Sequence, residues 1–191
     1  MTWEVTTQPT AEPLTVDEVK TFLNLTSNED NGMLETFIKA ARQWAEANTG
    51  RVLLSQTVKQ YWDEWPTGVW NLGVSPATSV TSISYKDANG ATQTWSAANY
   101  AVDTVSVPAR IYPREAVEYP GLGDYPNAVW ATYVAGYASP ATVPAPDRTA
   151  MLQKIAFLYE NREDIPIQGV GSGYRVRSAD ALLFNSRLNL L

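Results

Sequence analysis

At 191 residues, 45% of them hydrophobic and 18% charged, the chain can bury a substantial core as one large domain or as a domain with an insertion. It contains no cysteine and no histidine, which excludes disulfides, thiolate nucleophiles, Ser-His-Asp machinery and ordinary zinc sites. The net charge of -6 is uneven: beyond Asp164, Arg175, Arg177 and Arg187 stand against Asp180 and leave +2, so the preceding residues hold -8 and offer no basic face to a nucleic-acid backbone.

The start of the chain, Met1-Thr2-Trp3-Glu4, has neither the positive residues nor the apolar run of a secretory signal, and use without export is expected. Apolar stretches such as residues 129–135 fall far short of the roughly 20 residues that span a bilayer. Residues 1–14, with Pro9 and Pro13, read as an extended arm. Thr15-Val16-Asp17-Glu18 then matches a capping box, in which a Thr hydroxyl and a Glu three positions on satisfy free amides at a helix start. The helix it opens should run over 15–23, with Val19, Phe22 and Leu23 on one face.

A second helix is expected over 30–48. Leu34, Ile38, Ala41 and Ala45 recur at helical intervals, Phe37 and Trp44 widen the stripe as core residues, and Gly50 stands where a left-handed terminator is favoured. From Val52 the period changes to two. Residues 55–63, 69–74, 80–87, 92–95, 100–103, 109–112 and 127–137 read as strands of an antiparallel sheet or small barrel, and Asn89-Gly90 is a hairpin turn. A Pro- and Gly-containing connection occupies 113–126.

Pro144-Ala145-Pro146-Asp147 opens a long helix over 147–162, with Asp147 suited to its N-cap. Its apolar face, from Met151 to Tyr159, should pack on the 30–48 helix. Gly169, Gly171 and Gly173 suggest a flexible link, and 178–187 a last short helix bearing Leu182, Leu183 and Phe184. The expected class is therefore α+β, with four parts: an arm (1–14), a helical body (15–51 plus 144–164), a β-rich insertion (52–143), and a link and tail (165–191). Arg175, Arg177, Leu182, Leu183, Phe184, Leu188, Leu190 and Leu191 give the tail more apolar surface than a monomer tolerates, with arginines able to set its register on carboxylates, so it is the candidate partner-binding site.

In order, several short segments resemble head-to-tail connector proteins, the adaptor or head-completion proteins of tailed bacteriophages and gene-transfer particles. They are Leu14-Thr15 with its capping box, Ala40-Ala41-Arg42, Asn48-Thr49-Gly50-Arg51, Leu54-Ser55-Gln56-Thr57 and Ser79-Val80-Thr81-Ser82-Ile83. Ala88-Asn89-Gly90, Pro108-Ala109-Arg110-Ile111, Val134-Ala135-Gly136-Tyr137 and Leu158-Tyr159-Glu160-Asn161-Arg162-Glu163 follow. The resemblance covers residues 14–164, and it is the order and spacing of the segments, not any one of them, that is specific. It implies a non-catalytic ring, twelve copies in most members, at the portal vertex of a virion assembled in the bacterial cytoplasm. Its implied partners are the portal, a stopper or tail-completion protein and further copies of itself, with DNA passing through unbound and no cofactor or metal. It also implies that the C-terminal segment engages the portal, although beyond Ile165 the chain departs from the family pattern.

Two other readings are open to the sequence. Tyr61, Trp62, Trp65, Trp70 and Trp95 could stack on sugar rings in a carbohydrate-binding β module of a tail or surface accessory protein. Asp63 with Glu64, or Glu115 with Glu118, could serve as paired carboxylates of a glycoside hydrolase that needs no histidine, although adjacent strand residues point to opposite faces.

Overall fold

The structure is a computed structural model that describes residues 2–115, 117–161, 177–184 and 186–187, with the backbone alone at 177. The chain divides into two units. One comprises Gly50–Tyr137 with the residues up to Pro9; the other comprises Thr10–Thr49 and the described part of Ala138–Arg187.

The first unit is β. Strands β1 (Thr2–Thr7), β2 (Gln56–Trp62), β3 (Trp70–Asn71), β4 (Ala77–Lys86), β5 (Thr92–Trp95), β6 (Tyr100–Asp103), β7 (Arg110–Pro113) and β8 (Val129–Ala135) form two antiparallel sheets. Their orders are β1-β2-β8-β4-β5 and β3-β7-β6. The central strand β8 shows why the sheet has one wet and one dry face: Val129, Ala131, Tyr133 and Ala135 are fully buried and alternate with half-buried Trp130, Thr132 and Val134. The apolar core lies among Val58, Trp70, Leu72, Ile83, Trp95, Ile111 and the buried side of β8.

Two polar residues are built into this unit. Gln60 is completely buried, yet its Nε2 donates to the Asn71 carbonyl at 3.1 Å and its Oε1 accepts from the Gly73 amide at 2.7 Å and the Tyr133 hydroxyl at 3.3 Å. A buried amide with its partners supplied avoids the desolvation cost of an unmade bond. At the β4–β5 hairpin, the Asp87 carboxylate accepts from the Asn89 and Ala91 amides, and Gly90 takes φ +80°. Asn89 keeps a negative φ, so the turn is held by the Asp87 side chain and not by two left-handed residues.

The arm expected at 1–14 begins as a strand. β1 pairs antiparallel with β2, Glu4 opposite Lys59 and Val5 opposite Val58. It supplies ladder partners to a strand that would otherwise be a bare edge.

The second unit is helical. α1 (Val16–Leu23) is capped by Thr15, whose hydroxyl accepts from the Glu18 amide at 3.2 Å while Glu18 Oε2 accepts from the Thr15 amide at 2.8 Å. The capping box is present as expected, and Asn24 ends the helix in the left-handed conformation. α2 (Asn31–Thr49) buries Leu34, Ile38, Ala41 and Ala45 on one stripe. α3 (Ala145–Glu160) buries Ala150, Met151 and Ile155 and packs on α2, and α4 (Arg177–Phe184) packs on both. Each fully buried aliphatic side chain contributes about 1.5–3 kcal/mol, so this shared stripe dominates the unit's stability. The opening and closing helical segments thus meet, and the α+β class read from the sequence is the class observed.

Candidate docking site on the helical unit

Asp147 is where the local reading and the structure part. It lies inside α3 as the third helical residue, because Pro144 takes the cap position and Pro146, lacking an amide hydrogen, fits the first turn. Its carboxylate is fully buried, and Oδ1 accepts from the Ser186 hydroxyl at 2.6 Å. This bond pins the residue just beyond α4 to the start of α3. Ala179 and Leu183 are fully buried on the same short helix.

The candidate tail residues therefore separate. Leu183 is part of the helical core, Leu182 is half-buried, and Phe184 is 66% exposed. The Arg187 guanidinium lies 5.7 Å from the centroid of the Phe184 ring, a cation-π arrangement at the surface. Arg177 opens α4, its side chain outside the described residues, as are Arg175, Leu188, Leu190 and Leu191.

Between α1 and the start of α3 lies a groove of about 490 Å³. Leu14, Ala145 and Leu152 form its apolar walls, and Asp17, Glu18 and Arg148 its polar rim. Glu18 pairs with Arg148 while closing the capping box. The Thr15 amide holds its carboxyl below the ordinary value of 4.5, helped by the Arg148 guanidinium and the Thr15 hydroxyl and opposed by burial. Deeper in the unit, Arg42 is buried and bridges Glu12 at 2.8 Å and Glu46 at 2.9 Å, tying the segment before α1 to α2.

In the β unit, the aromatic residues do not form a sugar platform. Trp70 and Trp95 are 2% and 3% exposed, stacked at 5.6 Å. Trp65 packs on both, and its indole donates to the Pro120 carbonyl at 2.9 Å. Strand register turns Trp70 and Trp95 inward, and the half-buried Trp65, between β2 and β3, is held against them, so the carbohydrate reading loses all three. Trp62 is likewise in ring contact with Trp70. Tyr61 stands apart, half-buried beside Trp130, with its hydroxyl donating to Glu4 at 2.6 Å. Burial and that carboxylate push its pKa up to about 12.

The carboxylates considered for hydrolysis are not gathered either. Asp63 accepts from the Asn127 amide at 2.8 Å, and Asp63, Glu64, Glu115 and Glu118 are all exposed. Among the described residues no cluster of acidic side chains could hold a metal ion, and no helix is long and apolar enough to cross a membrane. What the geometry does supply is an exposed aromatic-cationic tip and an acid-rimmed apolar groove, which are means of docking protein against protein.

The family of phage gp6-like head-tail connector proteins matches the chain over residues 13–107. Over that region this chain is a head-tail connector of the gp6-like family. Solved structures extend the likeness to the connector's full length. A chain in the neck of an empty gene transfer agent particle, computed with C6 symmetry, is 22% identical with a TM-score of 0.81, covering 100% of this chain and 97% of that one. A chain in the virion of a native gene transfer agent particle is 21% identical with a TM-score of 0.79, at the same coverage. A chain in the neck of the native particle, computed with C12 symmetry, is 20% identical with a TM-score of 0.76. These likenesses establish that the connector's fold is one found in such particles. Among curated proteins nothing matches the chain.

Proposed function

We propose that this connector is a structural adaptor of the virion neck, a ring between the portal and the stopper or tail proteins that extends the exit channel of the capsid and lets the tail attach. The observation that carries the reading is the connector-family match over residues 13–107, joined to a likeness over the whole chain to proteins in particle necks. The C6 and C12 symmetries of those necks support a ring of twelve copies. The protein works without catalysis, in the neck of a particle assembled in the host cytoplasm.

The charge distribution supports the same reading. A body that holds -8, against +2 beyond Asp164, suits the wall of a conduit, since like charge raises the energy of close phosphate approach and DNA slides without sticking. The C-terminal segment is the portal-facing part. Arg175, Arg177, Leu182, Leu188, Leu190 and Leu191 make that contact, arginines on acidic groups and leucines on apolar ones. Of the other two candidate tail residues, Leu183 is already committed to the packing of α4, and Phe184, exposed on the same helix, is left for a contact between copies.

Mixing the purified connector with its cognate portal tests this. Co-elution on size exclusion, with a second ring visible on the portal by negative stain, is the expected result. A connector that elutes alone over a range of concentrations, leaving the portal undecorated, overturns it.

A further inference from the structure

We infer that Phe184 and Arg187 of one copy dock into the α1–α3 groove of the adjacent copy, and that this contact closes the ring. The inference rests on the ring reading above and names the residues that make it.

Phe184 is the residue that needs explaining. Its neighbour Leu183 is fully buried and its own helix is pinned through Ser186 and Asp147, yet the ring is 66% exposed. A lone exposed ring is ordinary, but this one sits on an anchored helix beside a cation, and it is the pairing that makes a contact surface. The Arg187 guanidinium beside it makes the tip cationic as well as apolar.

The groove has the complementary chemistry. Leu14, Ala145 and Leu152 offer apolar walls for a ring, and the rim is acidic. Arg148 is taken by Glu18, while the carboxylate of Asp17 has no ion-pair partner among the described residues. An arginine arriving with a phenylalanine would meet Asp17 at the edge as the ring enters the centre. That is the arrangement of an apolar anchor inside a polar rim.

Tip and groove are made of different residues of the same unit. Repeated head to tail, a contact between unlike patches ends only when the rotation closes a ring; made reciprocally by two copies, it stops at a dimer. The C6 and C12 necks that hold the similar chains favour the repeating arrangement.

A chain without cysteine permits a clean test in the full-length protein. Two single variants, Ala181→Cys and Thr149→Cys, place one thiol a turn away from Phe184 on the exposed side of α4 and one on the groove, leaving the anchor itself intact. They are mixed on the portal and oxidised, with rings scored by negative stain in the same sample. Disulfide-linked dimers in the mixture and none in either variant alone are expected. Rings that form without the 149–181 crosslink overturn the inference and leave the ring reading standing; no rings with wild-type protein overturns both. A second arm uses charge: Asp17→Arg should abolish rings and Arg187→Asp combined with it should restore them. Failure of the double variant to recover rings, when both proteins remain folded by circular dichroism, contradicts the pairing.

Discussion

The Ser186 hydroxyl donates to Asp147 Oδ1 at 2.6 Å, joining residues 39 positions apart and holding the end of α4 against the first turn of α3. Because Asp147 is fully buried, removing its donor would leave a buried polar group short of a partner, which costs about 1–3 kcal/mol. Ser186→Ala should therefore lower the melting temperature by several degrees, on the scale of about 2–4 °C per kcal/mol for a chain of this size. Hydrogen exchange should locate the change, with amides of residues 178–184 exchanging faster and those of α2 unaltered. Unchanged exchange in α4 would mean that the helix is held by its apolar side alone.

Gly136 follows β8 with φ +108°, and a Cβ there would sit 2.2 Å from the Leu54 carbonyl oxygen and 2.8 Å from the Ser55 amide nitrogen. Both obstacles are backbone, so neither can turn away. Gly136→Ala combines a disfavoured dihedral with a backbone clash and should cost about 3 kcal/mol or more. Chemical denaturation would read this as a lower midpoint; a midpoint within error of wild type would contradict the geometry.

Trp70 separates the core reading of the aromatic residues from the sugar-binding one. At 2% exposure and in contact with Trp62, Trp65 and Trp95, its replacement by alanine should cost about 3–5 kcal/mol and disturb the tryptophan fluorescence of the whole cluster. A glycan array should show no binding by the parent protein. Micromolar glycan binding lost in a stably folded Trp70→Ala variant would reverse the assignment.

Glu18 should make the helical unit acid-sensitive. Its folded carboxyl lies below the ordinary 4.5, so between the two values the unfolded chain binds more protons. The stabilisation is present above 4.5 and is lost as pH falls through the folded value. Thermal melts from pH 7 down to about pH 3 should show a steeper acid decline for the parent than for Glu18→Gln. Parallel curves would place the acid sensitivity elsewhere.

Local chemistry made much of the fold readable. The capping box at Thr15–Glu18 needs only residues three apart, and the α2 stripe from Leu34 to Ala45 announces its period within one helix. What required distant partners did not read through. Thr2–Thr7 is almost wholly exposed and alternates only Trp3 and Val5 with polar residues, too short a pattern to mark a strand; it is one because β2 offers it a ladder. Nothing local marks Arg42 as buried, since one of its two partners, Glu12, lies 30 positions away. At the docking site, a tail of leucines and one phenylalanine was evident, but an eight-residue helix does not reveal that Leu183 points inward and Phe184 outward. Asp147 looked like a cap because prolines flank it, and those same prolines shift the cap to Pro144.

The central claim is that the connector joins head to tail, and the most direct measurement is electron microscopy of particles made with its gene deleted. The account predicts capsids without attached tails, and restoration of tails when the chain is supplied in trans. Tailed particles at parental abundance in the deletion would contradict it.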